Sequence, residues 1–160
     1  MKKMILLLVG TCLLLGTGTS HAQSYYQKEG SLYAEIFGNG GELSVNFEKF
    51  VGREVSIKVG AGLTGVAFRK GYVIPFGVSF LLGGSRNKIE IGGGGAWVDF
   101  DDNGTDAVIY DLTEDQVVAN GVLGYRFIGD YGFTYRLAFT PVYTKDGFQP
   151  MGGAIFGYAF

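Results

Sequence analysis

The chain has 160 residues, enough for one domain, with 28 Gly against only 3 Pro, 15% aromatics and a formal net charge of −2. Its single cysteine, Cys12, and its single histidine, His21, both fall within the first 22 residues. So mild an acidic balance gives no reason to expect a nucleic-acid partner.

The N-terminus has the three parts of an export signal: a positive start at Lys2 and Lys3, an apolar stretch MILLLVGTCLLLG at 4–16, and small residues flanking a cleavage site in Ser20-His21-Ala22. The apolar stretch is short of the about 20 residues of a spanning helix. Cleavage after Ala22 is expected, with a lipoprotein signal at Cys12 as the minor alternative. The organisation is then a signal peptide over 1–22 and one domain over 23–160. Loss of Lys2 and Lys3 leaves 11 basic residues against 15 acidic ones, a net of −4. Loss of Cys12 and His21 removes disulfides, Cys/His metal sites, a His general base and the Ser-His-Asp triad.

From residue 31 onward the chain alternates with a period of two, which is the side-chain period of a strand. The segment 31–37 comes first. Leu43, Val45 and Phe47 alternate with Glu42, Ser44, Asn46 and Glu48. Val55, Ile57, Val59, Ala61 and Leu63 alternate with Glu54, Ser56, Lys58 and Gly60. Tyr72, Ile74, Phe76, Val78, Phe80 and Leu82 oppose Pro75, Gly77 and Ser79. Ile89, Ile91 and Trp97 oppose Lys88, Glu90 and several Gly. Val117, Ala119, Leu123, Tyr125 and Phe127 oppose Gln116, Asn120 and Arg126. Tyr131, Phe133, Tyr135, Leu137 and Phe139 oppose Thr134, Arg136 and Thr140. The segment 152–160 closes the series at eight.

Turn chemistry separates the segments: Gly38-Asn39-Gly40-Gly41, Val51-Gly52-Arg53, Arg69-Lys70-Gly71, Gly83-Gly84-Ser85-Arg86-Asn87, Gly129-Asp130 and Lys145-Asp146-Gly147. Such gaps are too short for parallel crossovers, so antiparallel hairpins are expected. The segment lengths suit the roughly 9–11 residues of a tilted bilayer-crossing strand.

One face is continuous in Val, Ile, Leu, Phe and Tyr. The other is small or polar and holds Glu35, Glu48, Lys58, Lys88, Glu90, Arg126 and Arg136. An eight-stranded interior is narrow, and long charged side chains set among glycines can fill it. The aromatic face suits lipid and would be ruinous in water. Lipid also demands that every backbone polar group be paired, which closure into a barrel achieves. The predicted fold is therefore all-β: an eight-stranded antiparallel up-and-down transmembrane barrel.

The last residues, MGGAIFGYAF, place Ala154, Phe156, Tyr158 and Phe160 on the lipid face of the closing strand. This terminus resembles the C-terminal signal, here Phe156, Tyr158 and Phe160, that outer-membrane barrels present to their insertion machinery. The whole mature chain resembles the small eight-stranded outer-membrane barrels of Gram-negative bacteria, of the OmpA/OmpX type. AEIFGNGGELSVNFEKF, 34–50, is similar to the first hairpin of barrel proteins common in Bacteroidota, most without assigned activity. The resemblance implies an exported, porin-like cell-envelope protein in the outer membrane, with membrane lipid and the insertion machinery as partners, and expected to be a monomer. With both termini periplasmic, the turns after strands 2, 4 and 6 are short, and the long loop after strand 5, near 101–115, faces outside, the asymmetry such barrels show.

Two further motifs are weaker than their patterns suggest. Gly60-Ala61-Gly62-Leu63-Thr64-Gly65 satisfies G-x-G-x-x-G, but strand-like sequence lies on both sides where a dinucleotide site needs a helix. Asp99-Phe100-Asp101-Asp102-Asn103-Gly104 matches the opening of a calcium loop, with Asp99, Asp101 and Asn103 as candidate ligands. Tyr110 stands where the closing Glu belongs, so a solvated acidic loop is the expectation. No cofactor is expected. With no His or Cys base, and no Ser in a nucleophile setting, neither is catalysis.

Three functional readings follow: an integral outer-membrane protein with a structural or surface-interaction role; a narrow pore for ions or small solutes; and a soluble exported barrel, faces inverted, that binds an apolar ligand. For the charged lumen, a plug of mutually satisfied ions is favoured over a gated path.

Overall fold

A computed structural model of the chain describes residues 28–64, 71–100, 116–145 and 147–160. The export segment, the 65–70 connection and the acidic loop lie outside those residues. Ten strand segments follow one another: β1 Gly30–Ile36, β2 Leu43–Val51, β3 Val55–Thr64, β4 Gly71–Gly83, β5 Asn87–Phe100, β6 Gln116–Ile128, β7 Phe133–Phe139, β8 Val142–Thr144, β9 Gly147–Gln149 and β10 Gly152–Ala159. All pair antiparallel in one sheet, in which β5 bonds β6 and β10 bonds both β1 and β7, so the sheet closes on itself.

The ten segments make eight staves. β6 pairs with β7 through Leu123↔Phe139 and with β8 through Asn120↔Val142, so β7 and β8 are one stave interrupted at Thr140-Pro141. β9 and β10 are likewise one stave interrupted at Pro150-Met151. Proline has no N–H to give a ladder, and each break falls at one. Thr140 N donates to Met151 O at 2.8 Å, which bridges the two breaks. The seventh and eighth strands thus run longer than alternation alone indicates.

The period-two reading of the faces holds around the wall. Leu32, Val45, Phe47, Ile57, Val59, Phe76, Phe80, Ile91, Trp97, Leu123, Phe133, Leu137, Phe156 and Tyr158 all point outward and are exposed. The inverted, soluble arrangement would need this face inside, and it is outside. Tyr125, Phe127, Phe133 and Tyr135 form an aromatic cluster on the outer surface near the β6–β7 turn. There Phe127 and Tyr135 stack at 5.2 Å between centroids. Both described ends of the chain meet at this same end of the barrel, where Phe160 O accepts from Gly30 N at 3.1 Å and Phe160 N donates to Gly30 O at 2.9 Å.

At the opposite end, the β1–β2 connection departs from an outward loop. Gly38, Asn39, Gly40 and Gly41 are all buried, because the turn folds into the barrel mouth.

Candidate functional site

Inward-pointing positions fill the lumen with two unlike layers. The layer nearer the termini is ionic. Glu35 on β1, Glu48 on β2, Lys58 on β3, Glu90 on β5, Arg126 on β6 and Arg136 on β7 are all buried, three acids against three bases. Parity puts them there. Each sits one step from outward apolar neighbours, as Arg126 does between Tyr125 and Phe127.

The acids and arginines form an alternating chain across the lumen. Arg126 Nη1 donates to both oxygens of Glu48, at 2.8 and 2.9 Å. Its Nε lies 3.2 Å from Glu90 Oε2. Arg136 Nη1 donates to Glu90 Oε1 at 2.8 Å and its Nη2 to Glu35 Oε1 at 2.6 Å. The path Glu48–Arg126–Glu90–Arg136–Glu35 joins β2 to β1 by way of β6, β5 and β7, so it spans the interior. Hydroxyls complete the acids: Ser31 Oγ donates to Glu48 Oε2 at 2.8 Å and Ser79 Oγ to Glu90 Oε1 at 2.9 Å. Charged hydrogen bonds of this kind are the strong ones, and burial makes each costly to break.

Tyr33, the inward neighbour of Glu35 two residues back, has both guanidiniums against its ring, Arg126 Cζ 5.7 Å and Arg136 Cζ 5.9 Å from the centroid. A desolvated cation–π contact is worth about 2 kcal/mol. Tyr33→Leu is expected to lower stability by about that amount, read from urea unfolding of the refolded protein in lipid vesicles, while the barrel still forms.

Lys88 does not join the chain. It shares the inward face but stands one register step from the β4–β5 turn, opposite Gly83 and Arg126. It is half-buried and makes no ion pair among the described residues. Lys58 is buried beside Glu48 in register, yet its Nζ has no hydrogen-bond partner among the described residues. It balances the charge of the layer through space.

The second layer is apolar, and sequence reasoning missed it. Val73, Ala96, Val98, Val118 and Val142 pack together in the half of the lumen away from the termini, with Met151 against them. The signal was present: Tyr72, Trp97 and Val117 point outward, so Val73, Ala96, Val98 and Val118 must point inward. They come from four adjacent staves, and close packing of small apolar side chains leaves little room for water among them.

The other candidates separate from the lumen. Gly60 and Gly62 of the glycine motif lie within β3, a strand, where no nucleotide cradle is built. Asp99 lies near the end of β5, while Asp101 and Asn103 fall outside the described residues. No cluster of potential metal ligands occurs among the described residues. Phe156, Tyr158 and Phe160 line the outer face of the last stave, with Phe160 beside Phe47 at 6.5 Å.

No family model matches this sequence, and no curated protein matches it. Among solved structures, the chain is similar to the outer membrane protein Ail of Yersinia pestis, whose backbone structure was determined in a phospholipid bilayer nanodisc. The identity is 9%, the match covers 84% of this chain and 100% of that one, and the TM-score is 0.51. At that identity the likeness is one of fold, a small closed eight-stranded antiparallel barrel.

Proposed function

We propose that this chain is an integral outer-membrane protein whose barrel is sealed along its axis, with a structural or surface-interaction role and no catalytic activity. One observation carries the reading: polarity is inverted relative to a water-soluble barrel. Large apolar side chains cover the outside while Arg126, Arg136, Glu48 and Glu90 are at 0% exposure inside. Only a hydrocarbon surround makes that arrangement favourable. The likeness in fold to a barrel solved in a bilayer supports the same surround.

In this reading residues 1–22 are removed on export, the termini face the periplasm and Phe156, Tyr158 and Phe160 serve insertion. The hairpin 34–50 carries the resemblance to Bacteroidota barrels, and a monomer suffices because closure leaves no sheet edge along most of the wall. Contact with a partner would fall to the 101–115 loop or to the lipid face.

A sealed lumen favours this role over the pore. The ionic chain spans the axis, and the valine cluster narrows the lumen beyond it. In planar bilayers the refolded protein is expected to give no conductance steps across many insertions. Discrete, reproducible channel openings would overturn the sealed reading and restore the pore.

A further inference from the structure

The 38–41 turn is the one connection among the described residues that enters the lumen instead of leaving the barrel. Its anchors lie at its base: Phe37 N donates to Glu42 O at 3.0 Å, and Glu42 N to Leu63 O at 3.0 Å. Gly41 N closes the turn on Gly38 O at 3.2 Å. Phe37, at φ 51°, is the only non-glycine described residue with positive φ, and Gly38 and Gly41 follow at 126° and 89°. A bulky residue in the left-handed region costs about 1–2 kcal/mol, so the inward bend is held by what surrounds it.

What surrounds it is shaped to receive it. A Cβ at Gly153 on β10 would overlap the Phe37 carbonyl oxygen and lie 3.2 Å from Gly38 Cα. A Cβ at Gly62 on β3 would overlap the Gly40 carbonyl oxygen, and one at Gly40 would come within 3.4 Å of Pro75 Cγ on β4. Three staves therefore present bare backbone or a flat ring to the turn. Beneath its tip is the end of the ionic chain: a Cβ at Gly38 would stand 2.7 Å from Glu35 Oε1.

We propose that the 38–41 turn is a movable inner lid. Seated, it covers the Glu35–Arg136 end of the ionic chain and closes the mouth of the lumen. Swung outward about Phe37 and Gly41, it admits water and small solutes to that end while the wall of the barrel stays intact. Three glycines in four residues supply the backbone freedom for the swing. Their lack of side chains lets the tip withdraw past Gly153 and Gly62. The proposal rests on the sealed-lumen reading for the seated state only.

The test uses a cysteine below the lid. Asn46 is buried on the inward face of β2, one inward position beyond Ser44, the residue that Gly40 touches. In a full chain carrying Cys12→Ser, Asn46→Cys provides the only thiol, to be labelled with a membrane-impermeant charged maleimide. The folded barrel is expected to label about 100-fold more slowly than the boiled chain. Adding Gly153→Val, whose nearest atoms all belong to residues 37 and 38, is expected to speed labelling about tenfold or more while the barrel still resists cold SDS. Equal rates with and without Gly153→Val in a cold-SDS-resistant barrel would overturn the lid. Loss of that resistance in the parent would instead count against the barrel reading.

If Gly153→Val does not fold, amide exchange in the unsubstituted barrel decides. Gly38, Gly40 and Gly41 are expected to exchange faster than the Leu32–Phe47 rungs of the β1–β2 pair. Exchange of the turn amides only at the rate of those rungs would overturn the proposal.

Discussion

Arg136→Ala is expected to destabilise the barrel by about 3–5 kcal/mol, because it strands a buried charge. Arg136 is the cation that both Glu35 and Glu90 share. Glu90 keeps Arg126 when Arg136 is lost, but Glu35 loses its ion-pair partner in a position that is 1% exposed. The second substitution Glu35→Gln removes the stranded charge and should return about 1–3 kcal/mol, a coupling that independent sites would not show. Urea unfolding of the refolded protein in lipid vesicles measures both steps. A loss below about 1 kcal/mol for Arg136→Ala would mean that water reaches the chain and that the lumen is not sealed.

Phe76→Arg is expected to cost about 2–4 kcal/mol of barrel stability and to reduce the membrane-inserted fraction sharply. Phe76 lies near the middle of β4, points outward, and spreads its ring over the bare backbone of Gly95 on β5. The substitution puts a charge into hydrocarbon and uncovers that backbone as well. Depth provides the control. Phe133, at the start of β7 beside the β6–β7 turn, faces the same way near the edge of the apolar band. Phe133→Arg should cost only about 0–1 kcal/mol. If the barrel were soluble, both arginines would be tolerated alike and would improve solubility.

The wall of this protein is readable residue by residue because its two faces differ so strongly. Once Leu43, Val45 and Phe47 are set outward, Ser44, Asn46 and Glu48 have no choice, and the structure places them so. The same parity locates Glu35, Lys58, Glu90, Arg126 and Arg136. What it does not convey is depth along the barrel axis. Lys88 has the right parity but the wrong height, beside a turn, so it stays half-buried outside the ionic chain.

Nor does parity show which side chains meet across the lumen. Arg126 and Glu48 are 78 residues apart, and Arg136 and Glu35 are 101 apart. Only closure of the sheet with its stagger brings them together. The inward setting of Tyr33 was reachable from its spacing to Glu35, and the valine cluster from the outward setting of Trp97 and Val117. The inward turn at 38–41 was not. Gly-Asn-Gly-Gly specifies a tight reversal, and the direction of its fold depends on Gly62 and Gly153, which are distant in the chain. The breaks at Pro141 and Pro150 mark where alternation ends the last two strands, although each stave resumes beyond its break, because the ladder needs an N–H that proline lacks.

The central claim, a closed barrel with its apolar face in lipid, meets its most direct test in electrophoretic heat-modifiability of the outer-membrane fraction. A closed wall paired throughout should survive cold SDS and run at a different apparent mass until boiled. The predicted result is recovery in the outer-membrane fraction with a clear shift between unboiled and boiled samples. Recovery as a soluble protein with no shift would contradict the account and would mean that the aromatic face is not turned toward lipid.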